Sequence, residues 1–121
     1  MIQGFFDRDT PYINITIAWH SFVKNYLFVL DTGFTGDLQL PFDVANEMGI
    51  QATSVVPTTI ANGETIQVPN ALAIAVMEGS VRHVQVGLSN GSPLAGISFL
   101  SKFNYKAIVD CKYRTVLLER V

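Results

Sequence analysis

The stretch from Tyr26 to Pro41 constrains the fold of this chain more than any other stretch. It opens with five almost wholly apolar residues, Tyr26 to Leu30, which are typical of a strand buried on both faces. That strand ends at a carboxylate, Asp31, which is followed by Thr32 and Gly33. Glycine permits unusual backbone angles and close approach, and an ionised carboxylate is costly to bury unless donors surround it. The sequence therefore predicts that Asp31 is a functional residue at the end of a core strand.

Further segments accompany this Asp-Thr-Gly triplet. Residues 34–36 (Phe-Thr-Gly) and 38–41 (Leu-Gln-Leu-Pro) follow it, and residues 93–100 (Pro-Leu-Ala-Gly-Ile-Ser-Phe-Leu) lie far downstream. Together with residues 30–33, they resemble the active-site loop and the apolar-apolar-Gly element of the retropepsin-like aspartic proteases. The family often has a bulkier apolar residue in place of Ala95 and an aspartate in place of Ser98, so the downstream match is less specific. The resemblance covers roughly residues 13–119, in the order that the family requires.

The resemblance implies an all-β fold, namely a single-domain retropepsin-like acid-protease barrel over residues 1–121 with one or two short helices. It also implies that Asp31, Thr32 and Gly33 are the catalytic residues of an aspartic endopeptidase, for which we expect no cofactor. The chain has one Asp-Thr-Gly triplet and is too short for two lobes. The second carboxylate is therefore expected from a second copy, across a two-fold axis near Asp31. In the family the threonine of the triplet bonds across that axis and fixes the pair, which would be the role of Thr32, and Gly33 would let the substrate backbone approach closely.

A hairpin between the two matching segments is expected to cover an extended peptide or protein substrate. Residues 51–60 are β-branched and rich in threonine, residues 64–68 return, and Asn62-Gly63 between them is a strong hairpin signal. The resemblance implies that this hairpin is the flap, with Ala61, Asn62 and Gly63 as substrate-binding residues. An ordinary exposed hairpin has the same turn chemistry, so only the position in the chain favours the flap.

Two short helices are expected outside the sheet. Pro41 suits the first position of a helix over residues 42–48, with Phe42, Ala45 and Met48 on its apolar face. A second helical turn is expected at residues 98–103, with Ser98 as its N-cap.

The other strands follow from hydrophobic alternation and turn residues. They are expected at residues 12–19, 22–30, 71–77, 81–88, 107–109 and 115–119, with residues 1–11 as a tail or first edge strand. We interpret residues 107–109 as a buried strand. Residues 115–119 are interpreted as an exposed edge, which would be sticky in a monomer.

Composition narrows the choice of partners. Charged residues make up 15% of the 121 residues, against about 25% in typical domains, and the mean hydropathy is +0.31. Such a low charge content in a small domain favours an oligomer. The net charge of −2 and the absence of a basic run argue against nucleic acid and anionic membranes. No signal-peptide pattern and no apolar run long enough for a bilayer are found, so a cytoplasmic location is expected.

Other chemistries find little support in the residues. The single cysteine, Cys111, excludes an internal disulfide, and two distant histidines offer no metal cluster. His20 is a candidate base, but no nucleophile is spaced to meet it, so an exposed turn histidine is the better interpretation. Two alternatives to the protease stay open. One is a catalytically inactive binding or assembly module of the same fold, and the other is a small β-barrel that binds an apolar ligand.

Overall fold

A computed structural model describes residues 1–121, and it contains ten strands and two short helices, as the all-β expectation requires. The strands are β1 (Ile2–Asp7), β2 (Thr10–Trp19), β3 (Phe22–Leu30), β4 (Leu38–Leu40), β5 (Ser54–Thr59), β6 (Thr65–Met77), β7 (Ser80–Leu88), β8 (Leu94–Ala95), β9 (Tyr105–Asp110) and β10 (Thr115–Arg120). The helices are α1 (Phe42–Glu47) and α2 (Ile97–Lys102).

The strands pair in one sheet that folds onto itself. Its order is β5-β6-β7-β4-β8-β3-β2-β1-β10-β9. A further antiparallel pairing of β2 with β6 closes β2, β6, β7, β4, β8 and β3 into a ring. β5 extends from the ring on one side, and β1, β10 and β9 extend from it on the other, so β5 and β9 are the free edges of the sheet. A single cluster of 25 buried hydrophobic residues forms the core.

Hydrophobic alternation accounts fully for β2 and only in part for β3. The three isoleucines of β2 are at most 1% exposed, as the alternating pattern predicts. Phe28 and Leu30 of β3 are also buried, but Leu27 is 40% exposed. β3 is therefore buried on one face in the single chain, and the prediction of a strand buried on both faces is wrong. The apolar run was misleading because the outward-facing positions of β3 near Asp31 are apolar as well.

The first helix follows Pro41, as predicted, and ends at the residue before Met48. Its buried positions are Val44 and Ala45, continued by Met48 at the C-cap. Phe42 is 43% exposed, so its placement on the buried face is wrong. At 100° per residue, position 42 lies about 110° from the middle of the buried stripe, which explains its exposure.

The second helix begins one residue earlier than predicted. Its N-cap is Gly96, with extended backbone and no side-chain capping bond, so Ser98 lies inside the first turn and is not the cap. Residues 64–68 and 71–77, interpreted as separate strands, belong to one continuous strand, β6. The break disappears because Pro69 stays paired with Val55 and Asn70 with Gly87.

The two ends of the chain form one end of the sheet, from β1, β10 and β9. β10 pairs with β1 on one side and with β9 on the other. The prediction that residues 115–119 form an exposed edge is therefore wrong, because β9 takes the edge position. Ile108 and Val109 of β9 are each 38% exposed, so the predicted buried strand at residues 107–109 is a half-exposed edge strand instead.

Candidate active site

Asp31 lies directly where β3 leaves the sheet. β3 pairs in parallel with β8, Val29 with Leu94 and Leu30 with Ala95. The backbone N–H of Asp31 donates to the carbonyl oxygen of Ala95 at 3.0 Å, so the ladder continues for one residue beyond the strand. Backbone pairing thus fixes the position of the Cα atom from which the carboxylate projects, and the predicted location at a core-strand end is confirmed.

The residues after Asp31 orient its carboxylate. The Gly33 N–H donates to Asp31 Oδ1 at 2.9 Å, and the Phe34 N–H donates to the Asp31 carbonyl oxygen at 3.1 Å. An aspartate that accepts from the backbone two residues on forms an Asx turn, which holds the side chain in one direction. A Cβ atom on Gly33 would lie only 3.2 Å from Oδ1, so glycine leaves room for this bond. Asp31 is half-buried, whereas Thr32 and Gly33 are exposed.

The downstream segment around Gly96 packs against this loop. The Gly96 N–H donates to the Asp37 carbonyl oxygen and the Ile97 N–H to the Phe34 carbonyl oxygen, both at 2.9 Å. A Cβ atom on Gly96 would lie 2.7 Å from the Phe34 ring and closer still to the carbonyl oxygens of Phe34 and Gly36. Only glycine fits where residue 96 contacts the Asp31 loop so closely. This contact explains why the two matching segments of the sequence occur together.

Asp37 connects the loop to neighbouring elements of the fold, a role that the sequence analysis did not predict. It is the one buried charged side chain of the protein, at 5% exposed. Its Oδ2 atom accepts the Gln85 N–H at 2.9 Å and pairs with the Lys102 ammonium group on α2. These two donors satisfy the buried carboxylate and join the loop to β7 and α2. Strand alternation with Leu38 and Leu40 predicts an outward side chain for Asp37, so no local signal reveals this role.

A cleft of about 460 Å³ opens between the Asp31 loop and strand β5. Residues 33–39 line one side, and residues 56–59 of β5 line the other. Val68, Asn70, Gln85 and Gly87 complete the lining. A cleft of this size lies within the usual range for ligand-binding sites. The arrangement leaves room for a substrate segment between the loop and a free sheet edge.

The hairpin predicted as the flap is present, and its strands are joined by a three-residue loop. Ile60 and Glu64 flank a three-residue loop: the Gly63 N–H donates to the Ile60 carbonyl oxygen and the Ile60 N–H to the Glu64 carbonyl oxygen, both at 2.9 Å. Gly63 has φ +87, whereas Asn62 is not among the residues with positive φ. This is a type I turn followed by a glycine bulge, in which Asn62 instead accepts the Glu64 N–H at 2.9 Å.

The predicted site residues are only partly brought together. Gly33 lines the cleft next to Asp31, but the hairpin tip formed by Ala61, Asn62 and Gly63 does not. The part of the hairpin that faces the loop is the strand before the tip, residues 56–59 of β5. Substrate contact by the tip therefore stays a prediction. His20 lies at the exposed β2–β3 turn with φ +52, which fits its interpretation as a turn residue.

The clearly shifted pKa values lie outside the cleft, in a cluster around Tyr105. Its hydroxyl group donates to Glu78 Oε1 at 2.8 Å. Burial and this hydrogen bond raise the pKa of Tyr105 to about 12. The pKa of Glu78 is lowered, chiefly because its carboxylate accepts from the N-terminal ammonium group of Met1 and from Tyr105.

No group of three or more His, Cys, Asp or Glu side chains is arranged to hold a metal ion. Neither of the two helices has the length and apolar character needed to cross a bilayer.

Comparison with known proteins identifies the fold. No model of a protein family matches the sequence, and no curated protein does. Among solved structures, the chain is similar to a retropepsin-like aspartic protease from Rickettsia conorii, with a TM-score of 0.65 and 22% identity over 97% of this chain and 88% of that chain. It is also similar to the EIAV protease in complex with the inhibitor HBY-793, with a TM-score of 0.62 and 12% identity over 84% of this chain and 94% of that chain.

These similarities define the class of protein by architecture. The protein has the retropepsin-like aspartic protease fold, as the resemblance of its sequence implied. At such low identity the comparisons establish the fold and leave the activity to be argued from the residues.

Proposed function

We propose that the protein is an aspartic endopeptidase that hydrolyses peptide bonds with water activated between the Asp31 carboxylates of two copies. One observation carries the proposal. In a retropepsin-like fold, the half-buried carboxylate at the end of β3 is oriented by the Gly33 N–H and lies in the loop that borders the cleft. A chain with one such carboxylate completes a catalytic pair only with a second copy, which the exposed Thr32 and Gly33 leave free to approach.

The pair of carboxylates supplies both the base and the acid of the reaction. Two carboxylates held about 3 Å apart do not both ionise, so the pair shares one proton. The ionised carboxylate takes a proton from a trapped water molecule, and the resulting hydroxide attacks the scissile carbonyl carbon. The protonated carboxylate donates its proton to the carbonyl oxygen, which gives a tetrahedral diol. The carboxyl group that took the proton from water then passes it to the amide nitrogen, the C–N bond breaks, and the other carboxylate takes back a proton from a hydroxyl group, so that the amine and the carboxylic acid leave. The pair titrates as a unit, so hydrolysis is expected to fall on both sides of a pH optimum.

The substrate proposed for the cleft is an extended segment of a peptide or protein. Residues 56–59 belong to β5, a free edge of the sheet, and face residues 33–39 across the cleft. A free edge offers unpaired backbone groups, apart from the N–H that Pro57 lacks, to an extended peptide, which adds to the sheet as a further strand. Under this proposal Ala61, Asn62 and Gly63 cover the bound peptide from the hairpin tip, and Gly33 lets its backbone approach Asp31.

Asp31→Asn is the decisive test of this proposal. Asparagine keeps the size of the side chain and an oxygen that accepts the Gly33 N–H, but it neither acts as a base nor shares a proton. General-base groups contribute about 10²–10⁴-fold, so peptide hydrolysis should fall by at least about a hundredfold. The matched control is Asp43→Asn, which alters an exposed carboxylate on α1 and should leave hydrolysis unchanged.

The assay is cleavage of a denatured protein and a mixed peptide library over a range of pH, with thermal melts of each variant. Undiminished cleavage by a folded Asp31→Asn protein would exclude aspartyl catalysis. If the parent protein cleaves nothing under any condition, the inactive binding or assembly module of the same fold replaces the protease.

A further inference from the structure

The bulkier apolar side chains of β6 point away from the core. In residues 71–77 the inward positions are three alanines and a methionine, all at most 3% exposed. The alternate positions, which face outward, are Leu72, Ile74 and Val76. An antiparallel sheet that meets water on one face usually has polar side chains there. Leu72 is nevertheless 45% exposed, so the outward face of β6 is an apolar surface that the single chain leaves uncovered.

The neighbouring strand β7 widens this surface. His83 is the cross-strand partner of Ile74, and Val81 is the partner of Val76, so each pair shares a face. Val81 is 55% exposed. These two residues and the three outward residues of β6 form the outer strip (Leu72, Ile74, Val76, Val81 and His83). The strip contains no aspartate, glutamate, lysine or arginine.

The outer strip continues from the lining of the cleft on the same face of the same two strands. Asn70 and Gly87 are cross-strand partners, and Leu72 and Gln85 form the next pair on that face. Asn70, Gln85 and Gly87 also line the cleft. At about 3.4 Å per residue, the strip leads about 20 Å away from Asn70 to Val76. An extended polypeptide that leaves the cleft on this side therefore meets the strip with about six residues.

The charges of the cleft and of the strip favour an uncharged occupant. Among the residues that line the cleft only Asp37 is charged, and its buried carboxylate is paired with Lys102. The Lys102 ammonium group also donates to the His83 carbonyl oxygen at 3.4 Å, so its charge is already compensated where α2 borders the strip. A charged segment would lose hydration against this surface and gain no opposite charge. Uncharged apolar segments are mostly buried in folded proteins, so an unfolded chain is the source that presents them.

We infer that the outer strip is a second binding surface for the substrate, which holds an uncharged, apolar segment next to the residues in the cleft. This inference rests on the proposed function and adds the class of substrate, namely unfolded polypeptides with such a segment beside the cleaved bond. In the proposed pair of copies each copy supplies one strip, so both flanks of a substrate are held. A short peptide fills the cleft alone and gains nothing from the strip.

The first test varies the flanks of the substrate. Mixed peptides of about eight residues, with blocked amino termini, span about 27 Å and serve as the short library. Two longer libraries add about six residues at each end, either Thr, Gln and Val or the same residues with Glu at alternate positions. Uncharged flanks should raise kcat/KM by about tenfold or more over the short library, because the strip removes their apolar surface from water, and the Glu flanks should not. Released amino groups measure cleavage, and mass spectrometry confirms that it lies within the mixed part.

The second test places a charge on the strip. Leu72→Lys should abolish the advantage of uncharged flanks and favour the Glu flanks, because the lysine offers them an opposite charge. A loss of stability alone would not reverse the preference in this way. Leu72→Met keeps an apolar side chain of similar volume and should keep the preference of the parent. Val81→Lys adds the same charge at a more exposed position of the strip and replaces Leu72→Lys if that variant does not fold in circular dichroism.

Phe42→Lys is the matched control. Phe42 on α1 is apolar and 43% exposed, close to the exposure of Leu72, and it belongs neither to the strip nor to the cleft lining. This variant should therefore discriminate among the three libraries as the parent does. Binding is measured separately from catalysis on the Asp31→Asn protein, by fluorescence anisotropy of the same libraries carrying a fluorescein label. Uncharged flanks should lower the Kd by about tenfold, and adding Leu72→Lys should remove this gain.

The outcomes separate the strip from the proposed function. Equal kcat/KM and equal Kd for the three libraries, or a loss of preference in Phe42→Lys as large as in Leu72→Lys, would overturn the inference. Weaker self-association of Leu72→Lys in sedimentation would also overturn it, because a second copy would then cover the strip. If the parent cleaves nothing but uncharged flanks still bind through Leu72, the strip stands and the protease is rejected. If cleavage depends on Asp31 and ignores the flanks, the protease stands without the strip.

Discussion

Gly96→Ala is predicted to destabilise the protein through a single added methyl group. The φ angle of Gly96 is −108, which any residue adopts, so the effect is purely steric. The added carbon would lie 2.7 Å from the Phe34 ring and nearer to two backbone carbonyl oxygens, so the strand or the loop must move by roughly 1 Å. Overpacking of this kind costs about 1–3 kcal/mol.

Two hydrogen bonds are strained by the same movement, from Gly96 to Asp37 and from Ile97 to Phe34. At about 0.5–1.5 kcal/mol each, their loss brings the total decrease in unfolding free energy to about 2–6 kcal/mol. For a chain of this size, that corresponds to a fall in Tm of roughly 8–24 °C.

Urea unfolding and calorimetry measure the loss, and Gly91→Ala is the matched control. A Cβ atom on Gly91 would meet only the ends of two side chains, the Gln39 amide nitrogen at 3.3 Å and Ser89 Oγ at 3.9 Å, and residue 91 is exposed. This variant should stay within about 0.5 kcal/mol of the parent, as surface substitutions usually do. A Gly96→Ala protein as stable as the Gly91→Ala protein would refute the steric explanation of the glycine in the downstream segment.

Two further predictions concern charges. Lys102→Met leaves the buried Asp37 carboxylate without its cation and should lower the free energy of unfolding in urea by about 3 kcal/mol. Asp37→Asn keeps an acceptor for the Gln85 N–H and should lower it by about 1 kcal/mol. The reverse order would show that the ion pair does not stabilise the buried carboxylate. Because the pKa of Tyr105 is raised to about 12, the folded protein keeps the phenol proton between pH 10 and 12 after the unfolded chain has lost it, so stability should fall as pH rises through this window. Tyr105→Phe lacks this contribution, and equal pH slopes for the parent and Tyr105→Phe in thermal melts would contradict it.

Local sequence patterns were sufficient to predict most of the strands and helices. Hydrophobic alternation located the strands within a few residues, and Pro41 marked the start of α1. The glycines of the two matching segments were recognised by resemblance, and the structure supplies their physical reason in the contact of Gly96 with the Asp31 loop. Turn type was less predictable. Asn62-Gly63 adopts a type I turn with a bulge, whereas Glu78-Gly79, a less typical pair, has positive φ at both residues.

Long-range pairing was the part that the sequence could not provide. Asp37 is separated from Lys102 by 65 residues, and nothing in either segment indicates that they meet. The order of β1, β10 and β9 was also unpredictable, because each of these strands has a similar apolar content. Residues 105–110 form the edge strand because β1 pairs with β10, which places residues 115–119 inside the sheet.

The low charge content has a structural explanation that links these results. Many of the exposed apolar side chains belong to the hairpin of β5 and β6 or to β9, including Val55, Val56, Ile66, Ile108 and Val109. An apolar side chain on a free edge is unfavourable in water unless another chain covers it. The proposed function assigns an extended peptide to the β5 edge. On this view, part of the low charge content reflects the apolar side chains that the substrate would cover at this edge.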